Sequence, residues 1–299
     1  MADSPRQQRA AIASVVIPAH NEERTIGRGL ARLLNGAPTG TLDVVVVANA
    51  CTDATADVAR ASGVHVIETA VAGKAHALNL GDADCTVFPR LYLDADVEVD
   101  LATVCAMVET LDEDGIHACS PVAVLDLRGT GPVVRRVHRV HEELFGPRRA
   151  LAGVGLYAVD EQGHRTVFPI PDVVADDEWV NRSFAAEERR VVPTARSVVR
   201  PAPTLLAHLR RRTRVRMGNH QLALMGRSAT NSDGRISALV RLVRTRRVHI
   251  VDAGCYLAVT AIDRARFALH LRRNRPVVGS ASDPVATCAF SSIPLCRSD

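Results

Sequence analysis

Short apolar runs alternate with segments of helical periodicity over the first 111 residues. The apolar runs are rich in valine, isoleucine and leucine, which is typical of strands that are buried on both faces. The predicted strands are residues 13–18, 42–47, 64–67 and 91–93. The predicted helices are residues 25–34, 52–61, 73–80 and 101–111. This alternation predicts an α/β fold with a mostly parallel, doubly wound sheet and right-handed crossovers.

Polar residues that suit helix N-termini support two of these boundaries. Thr52 is a suitable N-cap for the second helix, and Asp53 would lie in its first turn, where negative charge is favourable. Asp100 is a suitable N-cap for the fourth helix. Both helices are expected to begin directly after these side chains.

The rest of the chain has a weaker pattern. Residues 122–125 and the stretch after Gly155 predict two further strands, and residues 133–144 predict a helix with a basic face. Residues 236–247 and 263–273 predict amphipathic helices with basic faces. These two helices would form either a cap on the core or a contact with a membrane surface.

Two aspartates separated by one residue follow the fourth predicted strand. In an extended chain the side chains of Asp94 and Asp96 would point the same way. Buried carboxylates repel each other unless a cation lies between them, and oxygen ligands suit Mg²⁺ or Mn²⁺. The alternative is an ordinary turn. That is how we interpret Asp82 and Asp84, which no apolar strand precedes and which we expect in a solvated turn.

Polar residues also follow the first and second predicted strands, at positions 18–22 and 48–53. In doubly wound sheets, ligands bind beyond the carboxyl ends of the parallel strands. Residues 94–96 come at the same end of the fourth strand. The three polar clusters therefore predict one ligand site that holds a divalent cation.

Composition excludes several classes of protein. The chain has 299 residues, enough for a full core, and no run of apolar residues long enough to span a membrane. The N-terminal residues lack the apolar core of a signal peptide, and the seven cysteines show no CxxC spacing. These features predict a cytoplasmic protein without structural zinc or disulfides.

Basic charge is concentrated in one segment. Residues 209–247 contain eleven arginines and one acid, Asp233, a net charge of +10, so the remainder must carry about −6 to give the total of +4. This asymmetry predicts an anionic ligand or surface near the C-terminal third. Nucleic acid is disfavoured, because the segment lacks aromatic residues that would stack on bases. Lys74 is the only lysine among 37 basic residues.

Five segments taken together resemble the family 2 glycosyltransferases of the GT-A fold. They are VVIPAHNEE (15–23), VVANACTDAT (46–55), GKA (73–75), LDAD (93–96) and ADD (175–177). The resemblance covers residues 13–218. It implies a GT-A catalytic domain at residues 1–218, with a nucleotide-sugar-binding half at 13–111 and an acceptor half at 112–218. A basic helical extension would follow at 219–299.

The resemblance also implies roles for the matched residues. The residues implied to bind the nucleotide sugar are Pro18, His20, Glu22, Asn49, Asp53, Lys74 and Asp94. Among them, Lys74 would approach the base or ribose. Asp94 and Asp96 would bind the metal that bridges the diphosphate. Asp177 would be the catalytic carboxylate, with Asp176 in the place of the family's glutamate, and we favour Asp177 as the base.

The chain departs from the processive members of the family, whose Gln-x-x-Arg-Trp motif it lacks. In that region Arg211 and Arg214 are candidates for clamping the diphosphate, although a solvated basic face is the alternative. His208 or His220 is a candidate for completing the metal ligands. Trp179 is a candidate for stacking on a sugar, with a role in the core as the alternative.

The sequence therefore predicts a metal-dependent, inverting, non-processive transferase with Mn²⁺ or Mg²⁺ as cofactor. It would move a sugar from a nucleoside diphosphate to a hydroxyl of a small molecule, lipid or glycan, in the cytoplasm or peripherally on the inner membrane face. One alternative is a nucleotidyltransferase that makes the activated sugar, which the acidic residues 19–23 disfavour because such enzymes have a glycine-rich basic loop there. The other is a non-catalytic GT-A domain that binds an anionic surface.

Overall fold

The computed structural model describes residues 11–146, 150–227 and 235–273. Strands and helices alternate through its first half, as the hydrophobic pattern predicts. The strands are β1 (Ala13–Ala19), β2 (Leu42–Asn49), β3 (His65–Thr69), β4 (Arg90–Leu93), β5 (Ala118–Leu125), β6 (Leu156–Val159) and β7 (Arg189–Val199). The helices are α1 (Ile26–Leu34), α2 (Thr55–Ala61), α3 (Lys74–Asp84), α4 (Leu101–Leu111), α5 (Pro132–Phe145), α6 (Glu161–Val167), α7 (Asp176–Asn181), α8 (Leu205–Leu224), α9 (Arg235–Arg244) and α10 (Ile250–Arg273).

In the described chain, seven strands form one sheet in the order β3-β2-β1-β4-β6-β5-β7. Among the described strands, only β6 is antiparallel to its neighbours, β4 and β5. The other strands run parallel, so the carboxyl ends of β1, β2 and β4 meet at one edge of the sheet. The predicted α/β fold with a mostly parallel sheet and C-terminal helices is confirmed.

Two apolar clusters cover the two faces of the sheet. On one face, side chains of α1 and α4 such as Leu30 and Met107 pack against Val15 and Leu91. On the other face, side chains of α3 and α7 pack against the alternate positions of the same strands. Burial on both faces explains why these strands read as continuous apolar runs rather than as alternating ones.

The structure confirms one predicted helix cap and corrects the other. Asp100 accepts a hydrogen bond from the backbone amide of Thr103 at 2.9 Å and caps α4. Thr52 does not cap α2, which begins three residues later at Thr55, where the side chain of Asp53 accepts from the Thr55 amide. The Thr52 amide instead donates to the side chain of Asn21, which ties the β2–α2 loop to the β1–α1 loop.

The pair Asp82 and Asp84 has a structural role, as expected, but not in a solvated turn. Helix α3 continues to Asp84, and Asp82 is 8% exposed. Asp82 accepts hydrogen bonds from Arg90 at 2.7 Å and from the Tyr92 hydroxyl at 2.6 Å, and lies 2.8 Å from His164 Nε2. The prediction of a solvated turn is wrong because these partners come from other strands and helices and leave no local trace.

Helices α5, α8, α9 and α10 form a layer around a third apolar cluster, to which Val140, Leu209, Leu239 and Tyr256 belong. The last helix begins 13 residues earlier than predicted, at Ile250 rather than 263. The expected domain boundary after residue 218 falls inside α8. Within the three described stretches, none of the helices combines the length and hydrophobicity needed to cross a bilayer.

Several arginines of the basic segment are internal partners rather than free charges. Arg212 and Arg216 of α8 pair with Asp263 of α10, which is 1% exposed.

The guanidinium of Arg227 lies 3.8 Å from the centre of the Trp179 ring, and Trp179 Nε1 donates to a backbone carbonyl. Trp179, which is partly buried against the second apolar cluster, therefore has contacts that favour the core role.

Glu98 joins three elements just after β4. It is 7% exposed and accepts hydrogen bonds from Arg28 and Arg32 of α1 and, at 2.7 Å, from Arg200, which follows β7. Burial alone would raise the pKa of Glu98, but the hydrogen bonds from Arg200 and Arg28 bring it below its ordinary value.

Removing the buried carboxylate of Asp82 should destabilise the fold strongly. We expect Asp82→Ala to lower the free energy of unfolding by about 3 kcal/mol, because Arg90 would be left as an unpaired, mostly buried charge. The matched control is Asp84→Ala, where a half-exposed ion pair with His65 is lost and about 1 kcal/mol or less is expected. Urea unfolding of both variants measures the difference, and equal losses would contradict the assignment.

The Glu98 contacts predict a pH-dependent contribution to stability. Because the pKa of Glu98 is lower in the folded state than in the unfolded state, its ionised form stabilises the fold at neutral pH. This contribution is lost as the pH falls through the folded-state pKa. Glu98→Gln should therefore lower the free energy of unfolding near neutral pH and have progressively less effect in acid. Exposed Glu187→Gln is the control, and a pH-independent effect of Glu98→Gln would refute the linkage.

Candidate active site

The loops that follow β1, β2 and β4 meet at the carboxyl edge of the sheet, as the sequence predicts. The antiparallel strand β6 brings a fourth loop to the same edge. Here the backbone amide of Asp94 donates to the carbonyl of Gly155 at 2.9 Å. Gly155 has a φ of 73°, and a Cβ atom there would lie 2.4 Å from Val97 Cγ2, so the close contact between the two loops requires glycine.

The two aspartates after β4 lie in a turn rather than in an extended strand. Strand β4 ends at Leu93, and the amide of Val97 donates to the carbonyl of Asp94 at 3.0 Å. The predicted strand geometry is therefore wrong, although the two carboxylates still influence each other. Burial and the negative charge of Asp94 raise the pKa of Asp96, while the positive charges of Arg211 and Lys74 oppose this rise.

Lys74 lies among the carboxylates. Its Nζ is 2.7 Å from Asp94 Oδ1 and 3.0 Å from Asp176 Oδ1. Burial alone would lower the pKa of Lys74, but the negative charges of Asp176, Asp94 and Asp177 raise it above its ordinary value, so the side chain is a permanent cation. The family resemblance implied a position near the base or ribose, whereas the structure places the ammonium between two acids.

Helix α7 presents two acids in its first turn, and their environments differ. Asp176 is 3% exposed, and burial raises its pKa to about 6, opposed by Lys74 and reinforced by the negative charge of Asp177. Within the described residues, Asp176 Oδ2 is buried without a hydrogen-bond partner. Asp177 is more accessible and accepts hydrogen bonds from the amides of Gly153 at 2.7 Å and Glu178 at 2.8 Å.

One cavity connects these groups. Its walls bring together side chains from β1, β4, β6 and helices α3, α7 and α8. The residues that line it are Pro18, Lys74, Leu78, Tyr92, Leu93, Asp94, Leu151, Gly153, Gly155, Leu156, Tyr157, Asp176, Asp177 and Arg211. Arg211 therefore lies where the sequence predicts a clamp for an anion. Arg214 is exposed on α8 and is not among the residues that line the cavity.

The predicted nucleotide side contains two residues that mainly hold the loops together. Asn49 is 5% exposed; its side chain donates to the carbonyl of Ala19 at 2.8 Å and accepts from the Gly73 amide at 3.4 Å. Asp53 accepts from the backbone amides of Glu23 and Thr55. Both side chains thus hold the backbone of the neighbouring loops in place at the edge of the site.

His20 and Glu22 lie at the same edge of the sheet, and both side chains are partly exposed. His20 Nδ1 is 2.8 Å from the carbonyl oxygen of Asn49, and since a carbonyl only accepts, Nδ1 carries the proton of this hydrogen bond. Burial raises the pKa of Glu22; a hydrogen bond from Thr25 opposes this rise, and the negative charge of Asp96 adds to it. Glu22 is therefore close enough to the acid turn to feel its charge.

The predicted third metal ligand is not with the aspartates. His208 is 6% exposed, packs edge-on against His138 at 5.1 Å between ring centres, and has an unpartnered Nε2 among the described residues. Burial, followed by the charges of Arg212 and Arg211, lowers its pKa to about 4. His220 packs against Phe267 instead. Across the described ranges, no three His, Cys, Asp or Glu side chains are grouped to hold a metal.

The loop at residues 151–157 is part of the site, although none of the site residues predicted from the sequence lies in it. The hydrogen bond from Gly153 to Asp177 and the contact of Gly155 with the acid turn make it a wall of the cavity. The spacing Gly-x-Gly directly before an apolar run was the available signal. The sequence pattern predicts only a strand after Gly155.

Comparisons with known proteins agree with this fold. The sequence profile described as "Glycosyl transferase family 2" matches residues 14–159. None of the curated protein sequences matches the chain significantly.

Solved structures with low sequence identity share the fold. The mannosyltransferase PcManGT from Pyrobaculum calidifontis, solved with GDP-Man and Mn²⁺, is 20% identical, with a TM-score of 0.57 over 91% of this chain and 77% of that one. Glucosyl-3-phosphoglycerate synthase from Mycobacterium tuberculosis, solved with Mn²⁺, UDP and glucosyl-3-phosphoglycerate, is 23% identical, with a TM-score of 0.53 over 74% of this chain and 81% of that one. The same enzyme was also solved with Mg²⁺ and UDP (20% identity, TM-score 0.50, 74% of this chain and 81% of that one). Residues 14–159, just under half of the chain, therefore match the profile of glycosyltransferase family 2, and the described chain shares the GT-A fold of these enzymes.

Proposed function

We propose that this protein is a metal-dependent, inverting, non-processive glycosyltransferase that uses a nucleoside diphosphate sugar and a hydroxyl acceptor. The observation that carries the proposal is the meeting of Asp94, Asp96 and Asp177 with the cations Lys74 and Arg211 at the carboxyl edge of the sheet. A diphosphate requires cations, and an attacking hydroxyl requires a carboxylate within reach. This edge supplies both.

The residues present suit Mg²⁺ or Mn²⁺. Asp94 and Asp96 offer oxygen ligands, and the orphaned, buried Oδ2 of Asp176 shows that the cluster has unused capacity for a positive or donor group. Mg²⁺ usually takes one or two carboxylates and completes its coordination with phosphate and water. Two aspartates, beside which the described residues group no third ligand, therefore fit a cation that arrives with a diphosphate. When bound, the cation would neutralise charge on the leaving phosphate.

Asp177 is the better candidate for the base. Asp176 has one oxygen bonded to Lys74 and is almost fully buried, so it holds the ammonium in place rather than reaching an acceptor. Asp177 lines the cavity, and the amides of Gly153 and Glu178 fix its orientation. A single base acting opposite the leaving group gives inversion at the anomeric carbon.

Arg211 and Lys74 would stabilise the leaving nucleoside diphosphate. Both are cationic at neutral pH, and both lie at the cavity with Asp94. Negative charge develops on the phosphate as the glycosidic bond breaks, and cations already in place stabilise it without reorganisation. The absence of the Gln-x-x-Arg-Trp motif supports transfer of one sugar at a time.

The proposal for the donor is based on the ligands of the solved enzymes of similar fold. The solved enzymes of similar fold hold GDP-Man or UDP-glucose, and one of them also holds phosphoglyceric acid. We propose a hexose nucleotide as donor for this chain. A panel of nucleotide sugars with Mn²⁺ or Mg²⁺, followed by release of nucleoside diphosphate, tests this choice.

The acid turn should be required for metal-dependent nucleotide binding. We expect Asp96→Asn to weaken the binding of UDP or GDP in the presence of Mn²⁺ by about tenfold or more, because one of two carboxylate ligands is lost. Calorimetric titration measures the affinity, and chelation of the metal should weaken the wild-type protein similarly. Asp84→Asn, a half-exposed acid in α3, is the control. Unchanged metal-dependent binding in Asp96→Asn would rule out the assigned metal site.

The base should be required for turnover but not for donor binding. We expect Asp177→Asn to lower the rate of nucleoside diphosphate release from the donor by about 100-fold or more, since general base catalysis typically supplies that factor. Donor affinity should stay within about threefold, because the assigned role is in the chemical step. Asp176→Asn is the comparison. If it abolishes turnover with donor binding intact while Asp177→Asn remains active, the two roles are reversed.

A further inference from the structure

Helix α10 has an apolar face that the described protein leaves exposed. Its other face packs on α5, α8 and α9 through residues such as Tyr256 and Val259. The exposed large side chains are Ile250 (70% exposed), Val251 (47%), Leu257 (49%), Ile262 (46%) and Leu269 (53%). Residues 258, 261, 265 and 268 between them are exposed alanines. These positions recur at helical spacing, so they form one continuous face.

This face is long as well as apolar. From residue 250 to residue 269 it extends roughly 28 Å at the rise of an α-helix. The sequence has no charged residue between Asp252 and Asp263. Neighbouring α9 adds Ile236 (73% exposed) and Val240 (45%) to the exposed apolar side chains of this layer. Apolar patches of this extent mark surfaces that bind something.

The charges around the face are all of one sign. Arg264, Arg266 and Arg272 of α10 are exposed. The two acids present in residues 235–273, Asp252 and Asp263, are both buried.

These two acids are neutralised from within the helical layer. Asp252 pairs with Arg136 and Arg139 of α5, and Asp263 pairs with Arg212 and Arg216 of α8. Over the described part of the C-terminal helices, the exposed ionised groups are therefore arginines.

This charge distribution favours an anionic lipid bilayer over a second copy of the chain as the partner. A second copy packed by two-fold symmetry on this face would bring Arg264 and Arg266 close to the same residues of its partner, and the described layer has no exposed acid to compensate. A bilayer with anionic headgroups provides both complements, because the apolar side chains enter the acyl boundary and the arginines meet the phosphates. No described helix can span the membrane, so the contact would lie in the plane of the interface.

We propose that the apolar face of α10, flanked by its arginines, docks this protein on the surface of an anionic lipid bilayer. The proposal specifies the face and the lipid charge, and it does not depend on glycosyl transfer. The charge of the surface contributes through the arginines, so the affinity falls as salt is added.

The test uses the 299-residue chain and sedimentation with two kinds of vesicle. One contains phosphatidylcholine with about 30% phosphatidylglycerol, and the other contains phosphatidylcholine alone. We expect binding to the anionic vesicles that weakens with added salt, and much weaker binding to the neutral ones. Absence of binding to the anionic vesicles would overturn the proposal.

Matched variants identify the face. The double variant Leu257→Asp with Ile262→Asp should lower the partition into anionic vesicles by about tenfold or more, because two acids then enter the apolar contact. Val71→Asp is the control: Val71 is 54% exposed and follows β3, at the opposite edge of the sheet from β5 and β7. Arg264→Ala and Arg266→Ala should each weaken binding to anionic vesicles roughly fivefold. Thermal melting checks that each variant is folded.

Two other outcomes would contradict the proposal. Vesicle binding that survives the double variant would show that another surface is responsible. A dimer in light scattering that the double variant dissociates, without vesicle binding, would assign the face to a second copy of the chain. Mn²⁺-dependent UDP or GDP binding, measured on the same proteins, separates these results from a failure of the proposed glycosyltransferase activity.

Discussion

The site depends on electrostatic balance among carboxylates that the fold forces together. Parallel strands bring Asp94 and Asp96 to the same edge as Glu22, and the first turn of α7 adds Asp176 and Asp177. Their mutual repulsion and burial push several of these groups toward the neutral form. Lys74, bonded to both Asp94 and Asp176, compensates within the protein itself. The remaining negative charge is what a cation bound with a diphosphate would neutralise.

Elsewhere in the described structure, buried carboxylates are paired with arginine. Asp82, Glu98, Asp252 and Asp263 are each almost fully buried, and each is paired with one or more arginines from another element. An arginine offers several donors in a fixed plane, which suits a permanent structural pair. The only lysine lies at the site, where its compact ammonium fits between two carboxylates. Eight of the 37 basic residues thus neutralise these four buried acids.

Periodicity and strand ends predicted the parallel half of the sheet and the edge that carries Asp94, whereas Asp177 was added by the family resemblance and the position of Lys74 between two acids was not predicted. The sequence predictions were wrong where a contact with a residue distant in sequence determines the position of a side chain. Asp82 reads locally as a turn residue, yet Arg90 and His164 make it part of the core. His208 reads as a ligand, yet it packs on His138 in a different layer. The early start of α10 was hidden because its exposed face is apolar, so the usual amphipathic pattern is absent.

Helix α8 connects the candidate active site with the face proposed to meet the membrane. Successive residues of an α-helix point about 100° apart, so neighbours on one helix reach different surroundings. Arg211 lines the cavity, whereas Arg212 and Arg216 hold the buried Asp263 of α10. Any displacement of α10 is therefore opposed by two ion pairs on the helix that carries Arg211. One helix thus carries both a cation at the cavity and the partners of a buried acid in α10.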